Sequence, residues 1–72
     1  MNKNQEIVLE TLKSYYGYEY FIGDMYHFHD TFTYEHDGSE ISKAYKSLSM
    51  IEELQVIKEY IKYLEEMYHV ID

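Results

Sequence analysis

Six residues in one stretch carry the side chains best suited to chemistry: His27, His29, Asp30, Glu35, His36 and Asp37. Imidazoles and carboxylates are the donors that zinc and similar divalent ions accept. Alternate residues of a β-strand project from one face. His27 and His29 would then stand about 6.5–7 Å apart along the backbone, with Glu35 on the same side. A metal would take both imidazoles and a third ligand, either Glu35 or, after a bend, His36. The same pattern describes the solvent side of an amphipathic strand, where polar residues belong in any case, and H-x-H alone is weakly specific. No cofactor or metal is assigned, and His27, His29, Glu35 and His36 stand as weak candidates. These histidines would also make a partner contact respond to pH between about 5 and 7.

Other chemistry has less support. There is no cysteine, so thiol nucleophiles, disulfides and cysteine-ligated zinc are excluded. Ser14, Ser39, Ser42, Ser47 and Ser49 fall in helices or at caps, with no G-x-S-x-G elbow. Three glycines make no phosphate loop. Glu52-Glu53 and Glu65-Glu66 are neighbours on a helix, so the members of each pair point about 100° apart and read as a solvated face. A chain this short has little room for a pocket of about 300 Å³. The expectation is that it is not an enzyme.

The elements that must position these residues follow from periodicity. Asn2 or Asn4 caps a first helix over residues 4–16, with Val8, Leu12 and Tyr15 in line and Gly17 at its left-handed end. Residues 18–22 read as a short aromatic strand, and Gly23-Asp24 as a hairpin turn. Residues 25–36 alternate, with Tyr26, Phe28, Phe32 and Tyr34 on one side and Asp30 the single fault. A helical reading also exists, with Tyr18, Phe21, Ile22, Met25 and Phe32 on one side. Asp37-Gly38 is a turn. Ile41, Ala44, Tyr45 and Leu48 keep helical spacing over 40–47 in preference to a third strand. The expected fold is α+β: an N-terminal helix, an aromatic β-hairpin region, a short helix and a long C-terminal helix packed on it. The alternative is a small all-α bundle.

The long helix, residues 50–70, is the clearest element. Ser49 with Glu52 makes a capping box. Met50, Leu54, Ile57, Ile61, Leu64, Tyr68 and Ile71 follow one face in steps of four and three. A second apolar line, Val56, Tyr60, Tyr63, Met67 and Val70, runs beside it, leaving a narrow polar face of Glu52, Gln55, Glu59, Lys62, Glu66 and His69. Two lines need two partners. Either both lie within the chain, or one meets a second copy or another protein.

Seventy-two residues make one domain whose stability is marginal without a staple, and oligomerisation is one such staple. No apolar run spans a membrane and the N-terminus lacks a signal-peptide core, so the expected location is cytoplasmic. Fourteen acids against six lysines give a net charge of −8, without arginine. Direct nucleic-acid binding and an anionic membrane surface are both disfavoured. The acidity serves solubility, or a basic partner, or imitation of phosphate charge in a nucleic-acid groove. Ten tyrosines cannot all bury satisfied hydroxyls, so several must lie at the surface.

In composition alone (lysine without arginine, much Tyr, Ile and Glu) the chain resembles small acidic proteins of phages and mobile elements of low-GC bacteria. That resemblance implies a protein that binds and blocks one host protein. The function expected is a small acidic interaction module whose Tyr-rich face meets a protein with a basic surface. The candidate contacts are Tyr60, Tyr63, Met67, Glu59 and Glu66, with Tyr18, Tyr20 and Tyr34. Charge mimicry of DNA is a special case. The alternatives are a homodimeric structural or regulatory protein using the C-terminal helix, and a His-based metal-binding module.

Overall fold

A computed structural model describes residues 1–68. It corrects the α+β expectation: the described residues form four α-helices and no strand. The helices are α1 (Lys3–Tyr15), α2 (Phe21–Asp30), α3 (Glu40–Ser47) and α4 (Met50–Tyr68). A π-helical turn, Thr31–Glu35, continues α2.

The misread segment is 18–36. Helical spacing places Phe21, Met25, Phe28 and Phe32 on one side, and the core takes that side. Phe28 is buried, and Met25 and Phe32 pack against the buried cluster. The Phe28 ring lies 5.6 Å from Tyr16, 4.9 Å from Phe32 and 5.2 Å from Tyr45. Tyr26, which alternation sets beside Phe28, points away from it and is exposed. Gly23-Asp24 makes no hairpin turn and lies within α2. The Asp24 carboxylate instead accepts the Gly17 N–H at 2.8 Å, which fixes the corner between α1 and α2. Tertiary contacts of this kind override β-propensity in aromatic segments.

Helix α1 begins with a capping box. The Asn2 side chain accepts from the Gln5 N–H at 2.9 Å, and the Gln5 side chain accepts from the Asn2 N–H at 2.8 Å. Helix α4 begins with its own box, Ser49 and Glu52, at 3.2 and 2.8 Å. The two boxes are tied together. Asn2 donates to the Glu52 carboxylate at 2.5 Å, and Gln5 donates to the Glu52 carbonyl and to Gln55. At the other end, the Tyr68 hydroxyl donates to the Gly17 carbonyl. Helices α1 and α4 therefore run parallel, with Val8, Leu12, Val56 and Tyr60 buried in the core they share. Helix α3 returns along α1 the other way, with Asn4 near its start bonded to Ser47 near the end of α3. No helix among the described residues is long and apolar enough to cross a membrane.

Candidate interaction surface

The helical course of α2 disperses the histidines. Residues two apart on an α-helix point about 200° away from each other, so the H-x-H geometry of a strand does not arise. The His27 ring lies beside Tyr16, at 5.8 Å. His29 Nδ1 shares a hydrogen bond with the Tyr45 hydroxyl at 2.5 Å. The His36 ring sits 6.0 Å from Phe32, beyond the π-helical turn, and Glu35 is exposed. These three histidines each have a different aromatic neighbour. Among the described residues no three His, Cys, Asp or Glu side chains gather to hold a metal ion.

The tyrosines divide by role. Tyr60 is fully buried beside Leu12 and Val56, so its ring belongs to the core. Burial, with the Asp24 charge and the neighbouring phenols of Tyr63, Tyr68 and Tyr16, pushes its pKa up to about 12. Its hydroxyl has no hydrogen-bond partner among the described residues. Tyr63 is half-buried, with the Lys13 ammonium 5.2 Å from its ring centre. Met67, Glu59 and Glu66 are exposed. Tyr18, Tyr20 and Tyr34 are also exposed, each by 70 % or more. Sequence reasoning missed Tyr26, exposed by 74 %, and the exposed Tyr15 and Ile22 nearby. The helical period was the signal for Tyr26, because it sets that residue opposite Phe28.

Helix α4 reverses the expected use of its two lines. The second line turns inward through Val56, Tyr60 and Tyr63, while the first faces out at Met50, Leu54, Ile61 and Tyr68. Ile57 and Leu64 lie half-buried between the two. His69, Val70, Ile71 and Asp72 lie outside the described residues.

Between α2 and α4 runs an apolar cleft of about 320 Å³. Leu12 and Val56 line it with Met25 and Phe28 from α2 and Leu54 and Ile57 from α4, and Glu53 is the one charged residue among its walls.

Comparison with known protein families, with curated proteins and with solved structures finds no match for this chain.

Proposed function

We propose that the chain is a small acidic protein-interaction module, acting in the cytoplasm, that docks another protein through the aromatic corner between α1 and α2. One observation carries this reading. Tyr18, Tyr20 and Tyr26, within nine residues, expose 70, 72 and 74 % of their surfaces, and Ile22 among them is exposed too. Water-facing aromatic rings gain by desolvation when a partner covers them. Tyrosine does this at low entropic cost and supplies a hydroxyl at the rim. Glu19 lies exposed between Tyr18 and Tyr20. The net charge of −8 steers a basic partner toward the face and speeds encounter more than it strengthens the final contact. Blocking the partner's basic surface requires only occupancy.

A double variant, Tyr18→Ser with Tyr20→Ser, tests the reading. Both rings are exposed, so the fold survives by circular dichroism and urea unfolding. The wild-type chain, immobilised in a bacterial lysate, retains a protein that elutes with salt, and the variant retains at least about tenfold less of it. Equal retention by both chains would sink the proposal.

A further inference from the structure

The outward line of α4 fits a second copy of the same helix, and we infer that the chain self-associates through it. Leu54 is 57 % exposed and Ile61 40 % exposed, on a helix whose other apolar line is already satisfied. Their spacing with Ile57 and Leu64, three, four and three, is the repeat that lets two helices interlock along a seam. A partner helix with the same repeat matches it layer for layer, and another copy of α4 has that repeat by construction.

The charges beside the seam support the same occupant. Lys58 and Glu65 are seven residues apart, about 20° from each other around the helix, next to Leu54 and Ile61. Among the described residues neither forms an ion pair: the pairs there are Glu10 with Lys13 and Asp37 with Lys46. An antiparallel pair centred between Lys62 and Tyr63 brings Lys58 within a turn of Glu65 of the partner subunit, in reach of its long side chain, and the two-fold axis repeats the contact. The seam then stacks Ile61 on Leu64 of the partner subunit and Ile57 on Tyr68 of the partner subunit. Such an interface is isologous and closes on itself.

The fold also has a use for the added core. Among the described residues only eight apolar residues are buried in the core, few for a chain that needs a staple. Leu54 and Ile57 belong both to the seam and to the wall of the cleft, so a copy seated on α4 covers part of that cleft as well. A membrane surface suits the line less well, because the net charge of −8 opposes anionic lipid.

Sedimentation velocity on the untagged chain, over a wide range of concentration, tests the inference. The wild type passes from monomer to dimer as concentration rises. Ile61→Glu raises the dissociation constant by about a hundredfold or more, since each copy would bury an unpaired charge, and leaves the circular dichroism unchanged. Lys58→Glu weakens the dimer, and Lys58→Glu with Glu65→Lys restores it. The Tyr18→Ser, Tyr20→Ser variant keeps the dimer mass, so failure of this inference and failure of the proposed function are separate results. A wild type that stays monomeric throughout, a dimer indifferent to Ile61→Glu, or a charge swap that restores nothing would each overturn it.

Discussion

The Ser42 hydroxyl donates to the Phe32 carbonyl at 2.6 Å and ties the π-helical turn to α3. The bond exists because that turn is wide. The His36 N–H reaches back five residues to the Thr31 carbonyl at 2.8 Å, and so leaves the Phe32 carbonyl to a side chain. Ser42 is fully buried, so water cannot replace it. Ser42→Ala is expected to lower stability by about 1–2 kcal/mol in urea unfolding. A change within a few tenths of a kcal/mol would mean that the bond contributes little.

The three glycines are expected to respond differently to alanine. Gly17 has φ +93°, and an added methyl would meet Leu64 Cδ2 at 2.7 Å and the Tyr60 hydroxyl at 3.0 Å. Gly17→Ala should cost about 1–3 kcal/mol. Gly38 has φ +86° but open space around it, so Gly38→Ala should cost only the backbone strain, about 1 kcal/mol. Gly23 lies inside α2 with nothing nearer than Tyr20 Cβ at 3.5 Å. Gly23→Ala should stabilise by about 0.5–1 kcal/mol. A hairpin turn at Gly23 would give the opposite sign, so this one variant separates helix from strand.

Phe28 and Tyr26 test the phase of α2. A strand would bury both on one face, whereas the helix buries Phe28 and exposes Tyr26. Phe28→Ala should cost about 3–5 kcal/mol. That is a large part of the roughly 4–11 kcal/mol available to a domain of this length. Tyr26→Ala should stay within about 0.5 kcal/mol. Thermal unfolding followed by circular dichroism reads both, and equal losses would contradict the helical placement.

Tyr60 makes the fold sensitive to alkali. Its phenol ionises near 10 in the unfolded chain and at about 12 in the folded one. Below pH 10 it is neutral in both states and its contribution is full. Between about 10 and 12 the unfolded chain has released the proton and the folded chain still holds it, so stability falls as pH rises. Burial shifts the phenols of Tyr16 and Tyr45 upward too, which adds in the same direction. Tyr60→Phe should be neutral or stabilising near pH 7, because it removes a buried hydroxyl without a partner. It should also make the alkaline decline shallower. Urea midpoints at pH 8 and about 11 for both chains check this, and an unchanged decline would assign it to other groups.

Three of the four helix starts were legible in the sequence because caps are local; α2 starts at Tyr20 without a side-chain cap and gave no such sign. Asn2, Ser39 and Ser49 each accept a bond from an N–H three residues on, and that spacing can be read directly. The course of residues 18–36 was not legible, because tyrosine counts as apolar in a pattern yet faces water in the fold. Tyr26 and Tyr34 completed an alternation with Phe28 and Phe32 that the core does not use. The choice of inward line on α4 was hidden for a related reason. Val56 and Tyr60 are buried because α1 presents Val8 and Leu12 beside them, and no property of α4 alone ranks them above Leu54 and Ile61. The aromatic corner was legible in part: Tyr18 and Tyr20 stand out as tyrosines, and Tyr26 joins them only once the helical phase is known.

The parallel pairing of α1 and α4 sets an order on synthesis. Among these four helices, the one made first takes part of its cover from the one made last, with α2 and α3 emerging between them. Until Val56 and Tyr60 appear, α3 can cover one side of α1, but the side of Val8 and Leu12 that meets α4 stays open. Closure then comes late and joins distant segments, which favours slow nucleation over stepwise growth from the N-terminus.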